Sequence, residues 1–444
     1  MEDLSSYEIL KSLNVPSMEK RLEACASLAA NKELMSSLPP ESDEVNNHVH
    51  TSYSFSPYSP SAAVWFAREA GLKAVGSMDH DSIAAARETL AAGKIFGVAT
   101  TVGFEVRVNF TGTVVEGRKL NNPDSLNIVY MTVHGIPEDK IDDAAEFLKP
   151  IQKNRNLRNR KETEALNNLI TPLGIEALDF DRDVYGSSEA AHGGSITERH
   201  ILYALSQKIV EKAGKGSSLV SFLEEGMGIT VSGKIREFLL DESNPHYFYD
   251  LLGILKGNFL GRFFIQPDTK ECPSVYDVVR FANSIGAMPS YAYLGDVRES
   301  PTGDKKAEKF EDDFLDELIP QLKKIGFKAV TYMPPRNTLK QLQRVQKLCA
   351  ENDLMEISGV DINSSRQSFN CPEILQADFT HLISSTWALI AHEKLAAGDA
   401  RYGFFHPENP LAALSLSERI KRYGIVGEGM DRTCPEKLIK TVDF

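Results

Sequence analysis

The sequence predicts an α/β fold with parallel strands, built as a barrel, because two kinds of apolar pattern alternate along most of the chain. Runs such as "KAVGSMDH" and "ATTVGFEVRVNF" have the apolar character of buried strands. Stretches such as "SAAVWFAREAGL" place apolar residues at helical spacing between those runs. A chain of 444 residues, of which 42% are hydrophobic, is long enough to bury such a barrel together with additional helices.

We expect four segments along the chain. Residues 1–43 have helical patterns that end at "PPESDE" and predict an N-terminal helical extension. Residues 44–149 begin the alternation of strands and helices, and we assign them to the first part of the barrel. Residues 150–245 have several helical patterns and little that resembles a strand, which predicts a mainly helical insertion. Residues 246–444 resume the alternation as the second part of the barrel and end in a helical segment.

The composition argues against several classes of protein. No apolar run approaches the roughly 18 residues of a membrane-spanning helix, and the first residues lack a basic region followed by an apolar one. We therefore expect a cytoplasmic protein without a membrane partner. The net charge of −13 disfavours a nucleic-acid binder, which needs excess Lys and Arg. The five cysteines are scattered without a CxxC pair, as expected of reduced thiols, and the oligomeric state does not follow from the sequence.

The stretch "NNHVHTSYSF" places two histidines, His48 and His50, one residue apart at the start of the barrel region. Residues i and i+2 of a strand face the same side, so both imidazoles are predicted to point into one space, where they can chelate a divalent metal ion. The other interpretation is a pair of histidines at the end of a strand that bind nothing. The motif by itself leaves both interpretations open.

Ionisable residues close to the ends of the next predicted strands favour the metal site. Such residues are costly at the ends of buried strands unless partners or a metal ion compensate them. The carboxyl ends of barrel strands are also where barrel active sites lie. The residues in question are Asp79, His80, Asp81, Glu105 and His134.

The order of these residues resembles that of the PHP superfamily, the polymerase and histidinol phosphatase group of metal-dependent phosphoesterases. The resemblance lies in HxH, then DH, then GxE, then a histidine at the end of a strand, and it extends over roughly residues 44–370. "GSITERHILYAL" resembles the Arg-x-His segment in the helical insertion of the branch that hydrolyses nucleotide phosphates. The resemblance implies a distorted (β/α)7 TIM-like barrel, the PHP fold, with up to three divalent ions at the strand ends.

The same resemblance implies roles for individual residues. It places Glu105 as a bridge between a first metal site and a second one that contains His134, and it leaves His80 as the remainder of a third site. Arg199 and His200 match the Arg-x-His segment and are implied, with Glu105, to be the catalytic residues. The implied metal ligands are His48, His50, His80, Glu105, His134 and Asp361.

Three ligand positions of the family carry other residues in this chain. Phe55 stands where a carboxylate is expected, Tyr293 where the motif Ala-His-Pro-Gly has its histidine, and Asn363 where the last motif ends in histidine. A neutral phenol and an amide oxygen are weaker ligands for Zn²⁺ or Mn²⁺ than imidazole. We therefore expect a reduced cluster of one or two divalent ions per chain, with zinc, manganese or iron as the candidates.

The function expected from these residues is metal-assisted hydrolysis of a small phosphorylated molecule, a nucleotide or a sugar phosphate. The substrate's phosphate requires positive partners. Besides the Arg-x-His segment, arginines that follow predicted strand ends are candidates, although each is also explained as a solvated surface charge. They are Arg298, Arg336 and Arg366.

Two alternative functions remain open at the level of the sequence. The loss of ligands fits a non-catalytic or regulatory relative that binds a ligand without hydrolysing it. An amidohydrolase-like metal hydrolase also begins with HxH on its first strand. That class requires a bridging lysine in mid-chain, two later histidines at strand ends and a late aspartate, whereas this chain has DH and GxE within 60 residues of HxH.

Overall fold

The computed structural model describes residues 6–297 and 309–444, and its centre is a seven-stranded sheet that curls into a nearly closed barrel. The strands are adjacent in chain order, so the predicted TIM-like α/β barrel is confirmed. The strands are β1 (Val45–Val49), β2 (Ala74–His80), β3 (Ala99–Asn109), β4 (Ile128–His134), β5 (Met288–Ala292), β6 (Ala329–Tyr332) and β7 (Met355–Ser358).

The barrel closes between β1 and the segment that follows β7. The backbone of Ile362 exchanges hydrogen bonds with the two histidine residues at the end of β1. Two side-chain amides strengthen this seam, since Asn46 Nδ2 donates to Val360 O at 3.0 Å and Asn47 Nδ2 donates to Ser358 O at 2.8 Å. The closure fixes the HxH segment beside the residues that follow β7.

Strand β4 runs antiparallel to both β3 and β5, which corrects the expectation of parallel strands throughout. The physical reason is that the connection has no helix. Residues 110–127 join β3 to β4 through turns and bends alone, whereas the crossover between parallel strands is usually helical. Because Glu105 pairs with Thr132, His134 lies two residues further along β4, toward the amino end of the parallel strands.

Helices of the described residues cover the outside and one end of the barrel. Those of the N-terminal extension are α1 (Ser6–Leu13), α2 (Met18–Ala30) and α3 (Lys32–Ser37). Those between barrel strands are α4 (Pro60–Glu69), α5 (Ala86–Phe96), and, after the inserted helices, α11 (Val275–Ser284), α12 (Leu315–Ile325) and α13 (Leu339–Glu351). The C-terminal helices are α14 (His381–Gly398), α15 (Leu416–Glu428) and α16 (Leu438–Thr441). No helix within the described ranges is long and apolar enough to cross a lipid bilayer.

The helices inserted between β4 and β5 form a lobe with its own apolar core. A buried residue of the barrel, Phe55, belongs to that core and joins the lobe to the first βα loop. The assignment of residues 150–245 as a separate, mainly helical domain stays a prediction. The lobe helices are α6 (Ile141–Ile170), α7 (Glu198–Ala213), α8 (Ser217–Ser221), α9 (Gly233–Leu240) and α10 (Tyr247–Phe263).

Helix α14 packs across the amino end of the barrel. Its Thr386 hydroxyl accepts a hydrogen bond from Asn47 Nδ2 at 2.8 Å. The carboxylate of Glu393 accepts from the Thr101 hydroxyl at 2.7 Å and from the Val102 amide at 2.8 Å. With the amino end covered in this way, the carboxyl end of the strands is left to form a site.

A buried ion pair attaches the N-terminal extension to the barrel. Arg21 on α2 donates to both carboxylate oxygens of Glu88 on α5, at 2.8 and 2.6 Å. The Ser61 amide and hydroxyl also donate to Glu88, at 3.1 and 2.6 Å. Both charged side chains are almost fully buried, so each depends on the other for compensation.

We expect Arg21→Ala to lower the free energy of unfolding by about 3–5 kcal/mol, because it leaves the Glu88 carboxylate buried with only neutral partners. Urea unfolding of the purified variant measures the loss. Arg87→Ala is the matched control, since Arg87 pairs with Asp142 on the surface, where ion pairs contribute little. Equal destabilisation by the two substitutions would contradict this account of the extension.

Candidate metal centre

Five ionisable side chains meet near the carboxyl ends of β1, β2 and β3 and just after β7. They form two groups of three potential metal ligands, and His50 belongs to both. Within each group the candidate ligand atoms all lie within 4.8 Å of one another. One group is His48, His50 and Asp361, and the other is His50, His80 and Glu105.

The carboxylate of Glu105 lies at the centre of this arrangement. Its Oε2 is 2.8 Å from His80 Nδ1, 3.9 Å from His50 Nε2 and 4.0 Å from His48 Nε2. Asp361 Oδ1 approaches the other side of the cluster, 3.3 Å from His50 Nε2. Glu105 thus faces three imidazoles, and its predicted bridging role and the predicted third-site role of His80 stay predictions.

The residues of the cluster fit a divalent cation. His50 Nε2 is buried and has no hydrogen-bond partner of good geometry among the described residues, although two carboxylates face it. An unpartnered imidazole nitrogen beside carboxylate oxygens is costly to bury unless a cation lies between them. The donor set of three imidazoles and two carboxylates is one that zinc, manganese and iron accept.

The electrostatics of the cluster also favour a cation. Burial lowers the pKa of His48 and lowers that of His80 well below its usual range, so both imidazoles stay neutral, as metal ligands must. Burial raises the pKa of Glu105. Burial opposes the charge of Asp361 as well, but the neighbouring His50 reverses this effect and holds the pKa of Asp361 far below its usual range. Burial is the largest single influence on the pKa of His50 and lowers it, but the neighbouring carboxylates of Asp361, Glu105 and Asp79 together raise it, with a net increase.

His134 is fully buried below the two groups and belongs to neither. Both of its ring nitrogens lack a hydrogen-bond partner within residues 6–297 and 309–444. Burial, with a smaller contribution from the neighbouring His48, lowers the pKa of His134 to about 3. His134 ends its strand as predicted, but β4 is antiparallel, so His134 does not lie at the carboxyl end of the parallel strands. Its role as a metal ligand stays a prediction.

Arg199 and His200 begin helix α7 but have different surroundings. Arg199 NH1 donates to the backbone oxygen of Asn363 at 3.2 Å, which places the guanidinium beside the metal-ligand cluster. His200 instead caps its own helix, since its Nδ1 accepts from the Thr197 amide at 3.0 Å. Its ring packs edge-on against Phe55 with centroids 5.0 Å apart, and burial lowers its pKa to about 3. The catalytic role predicted for His200 stays a prediction, while its contacts are those of a helix cap.

The residues at the three substituted ligand positions each have another role. Phe55 adopts a left-handed backbone conformation with φ of +87° and packs into the core of the lobe. The Tyr293 hydroxyl donates to Asp312 Oδ1 at 2.6 Å. Asn363 Nδ2 donates to Asp361 Oδ1 at 2.7 Å, so this amide supports a candidate ligand.

A pocket of about 100 Å³ opens beside the cluster, between the barrel and the lobe. His80 of the metal-ligand cluster lines it, as do the apolar Leu260 and Phe264. Its basic and phenolic lining residues include Arg107, Tyr130, Arg155, Arg199 and Lys256. Arg107 was not among the residues predicted from the sequence, although its spacing of two residues from Glu105 on β3 places both on one face of the strand.

Buried ion pairs hold the walls of this pocket together. Glu198 of the lobe lies 2.7 Å from Arg158, 3.2 Å from Arg155 and 3.8 Å from Arg107. Burial opposes its charge, but these three guanidinium groups hold the pKa of Glu198 well below its usual range. Arg155 also donates to Asp81 at 2.5 Å, so the lobe is attached to the turn that follows His80.

The further arginines considered as phosphate ligands lie in other surroundings. Arg366 pairs with Asp250 of the lobe at 2.6 Å and lies over the Phe238 ring. Arg336 Nε donates to the Leu294 carbonyl at 3.1 Å. Arg298 lies outside the described residues.

Comparison with known proteins gives distant likenesses. No model of a protein family matches the chain, and no curated sequence is similar to it. A provisionally assigned metal-dependent phosphoesterase from Bifidobacterium adolescentis is 17% identical, with a TM-score of 0.48 over 76% of this chain and 96% of that chain. An amidohydrolase from Chromobacterium violaceum, solved with sulfate and without metal, is 16% identical, with a TM-score of 0.46 over 74% of this chain and 90% of that chain. Likenesses at this level do not assign an activity.

We expect purified protein loaded with Zn²⁺ or Mn²⁺ to hold fewer than three ions per chain, because the clustered ligand atoms form two groups that share His50. Elemental analysis measures the content. His50→Ala should remove nearly all of it, whereas His192→Ala should leave it unchanged because His192 is exposed on the lobe surface. Three ions per chain in the unsubstituted protein would contradict this count of sites.

Proposed function

We propose that the protein is a metal-dependent hydrolase of the PHP type that acts on a small phosphoester. The observation that supports this proposal most directly is the arrangement of the two ligand groups around Glu105 and His50 beside a pocket lined by basic side chains. A divalent ion bound there would polarise the phosphoryl oxygens and lower the pKa of a water molecule toward 7.

The residues of the chain would divide the remaining tasks. His48, His50 and Asp361 would hold one ion, and Glu105 would connect it to a second position at His80. Glu105 is suited to this role because one of its oxygens already faces three imidazoles. The side chains of His48, His50 and Glu105 are at most 10% exposed, and this burial strengthens the electrostatic interactions among them.

The phosphoester would lie in the pocket between the cluster and the lobe. Arg199 reaches this pocket from the start of α7 and Lys256 from α10, so both can approach the negative charge of a phosphate. Arg107 and Arg155 line the inner wall, where their carboxylate partners keep them in place. The apolar Leu260 and Phe264 would contact the non-phosphate part of the substrate.

A ligand-binding protein without hydrolytic activity is the second candidate. The observation that favours it is that residues at the substituted ligand positions make other contacts. The Tyr293 hydroxyl, for example, donates a hydrogen bond to Asp312. The two candidates predict the same metal content but differ in turnover. Release of phosphate from mononucleotides and sugar phosphates by the metal-loaded protein supports the hydrolase, and retention of metal without any release supports the binding protein.

Loss of a residue that only hydrogen-bonds to a metal ligand typically reduces activity by roughly 10–100-fold. We expect Glu105→Gln to reduce kcat/KM for phosphoester hydrolysis by more than this. The reason is that Glu105 alone faces all three clustered imidazoles. Glu225→Gln, at an exposed position of the lobe, is the control and should leave turnover unchanged. Unchanged turnover in folded Glu105→Gln would rule out the proposed mechanism.

We expect Arg199→Ala to raise KM more than it lowers kcat, because a guanidinium that lines the pocket would bind the phosphate in the ground state as well as in the transition state. Arg199→Lys should recover part of the loss, since it restores the charge without the planar fork. Steady-state kinetics measures both constants. The control is Arg182→Ala, on the exposed surface of the lobe, and an equal change in that variant would contradict a specific role for Arg199.

A further inference from the structure

The imidazole of His50 is held from behind by residues that are not candidate ligands. Its Nε2 faces the metal-ligand cluster, while its Nδ1 lies 3.2 Å from the Ser54 hydroxyl oxygen. The Ser54 hydroxyl in turn donates to Asp79 Oδ1 at 2.6 Å. All three side chains are at most about 1% exposed, so bulk water does not compete for these hydrogen bonds.

The orientation of each hydrogen bond follows from the surroundings of Asp79. The Thr51 amide donates to Asp79 Oδ1 at 2.7 Å, and the Thr51 hydroxyl lies 2.6 Å from Oδ2. Thr51 Oγ1 also accepts a hydrogen bond from the Tyr53 amide at 3.2 Å, which leaves its proton for Asp79. An ionised carboxylate accepts hydrogen bonds and donates none, so Asp79 is satisfied as the acceptor of three.

The direction of the last hydrogen bond is then determined. Because the Ser54 proton is used on Asp79, the oxygen of Ser54 can only accept from His50. The proton of the neutral imidazole therefore lies on Nδ1, and the lone pair of Nε2 points at the metal-ligand cluster. A histidine that binds a metal through one nitrogen usually donates from the other, and that second bond fixes both the tautomer and the ring orientation.

We propose that Asp79, acting through Ser54, is a positioning residue that sets His50 as the Nδ1–H tautomer and thereby prepares its Nε2 for a divalent cation. This inference rests on the proposed metal function for the use of Nε2, but the tautomer itself is a property of the metal-free protein. The positions of Asp79 and Ser54 relative to His50 follow from the pairing of β1 with β2 and from the turn of residues 51–58.

The tautomer can be measured without any metal. Long-range ¹H–¹⁵N NMR of histidine-labelled, metal-free protein at about pH 9, well above the reference histidine pKa of about 6.5, distinguishes Nδ1–H from Nε2–H. Comparison with His50→Gln assigns the signal. We expect Nδ1–H in the unsubstituted protein and a mixture of both tautomers in Ser54→Ala. Nε2–H in the unsubstituted protein, or no change in Ser54→Ala, would overturn the proposal.

The consequence for metal binding is measured by competition for Zn²⁺ with a chromophoric chelator. Ser54→Ala should weaken the affinity by roughly 10–100-fold. Ser52→Ala is the matched control in the same turn, because its backbone amide still donates to Tyr58 O, and it should change the affinity by less than about twofold. Equal affinities of the two variants would also overturn the proposal.

Asp79→Ala tests whether Asp79 sets the tautomer of His50. Without the carboxylate, the Ser54 hydroxyl can donate to His50 Nδ1, and the ring proton should shift toward Nε2. This variant leaves both Thr51 donors without their acceptor, so circular dichroism must first show that it is folded, and Ser54→Ala decides the matter if it is not. A protein that shows the expected tautomer but binds no Zn²⁺ would refute the proposed metal function and leave the role of Asp79 intact.

Discussion

The closure of the barrel between β1 and the segment after β7 is the constraint on which the site depends. His50 directly follows the first strand and Asp361 lies beyond the last, and this seam brings them within 3.3 Å of each other. The seam uses few backbone hydrogen bonds and is completed by the amides of Asn46 and Asn47. Polar side chains that would weaken a central strand therefore have a structural purpose here.

The lobe and the barrel are held together by charges that are buried with their partners. Removal of water from an ion costs several kcal/mol, so such a network is stable only when each charge has its counter-charge and its remaining hydrogen bonds. Glu198 meets this condition with three arginines, and Arg155 extends the network to Asp81, next to His80. The geometry of the metal-ligand cluster is thereby linked to the position of the lobe.

Local patterns were sufficient to predict the alternation of strands and helices and the common direction of His48 and His50, because both follow from the period of a strand. The end of the barrel at which His134 lies could not be predicted in this way, since the direction of β4 depends on the non-helical connection before it and not on the residues of the strand. His200 was also beyond local reasoning. A histidine three residues after Thr197 can cap the helix or can belong to a catalytic segment. The contact of its ring with Phe55, which the sequence does not reveal, distinguishes these two environments.

The seam between β1 and β7 has a consequence for synthesis of the chain. Asn47 and Ser358 are 311 residues apart. At roughly 5–20 residues per second, about 15–60 s pass on the ribosome before β1 can meet its last neighbour. During that time one edge of β1 is open to other nascent chains, which is the situation in which strands aggregate. Asn46 and Asn47 have low strand propensity, and their side chains form hydrogen bonds with water when the edge of β1 is unpaired. The two residues that complete the finished barrel therefore also disfavour pairing of this edge with another chain during synthesis.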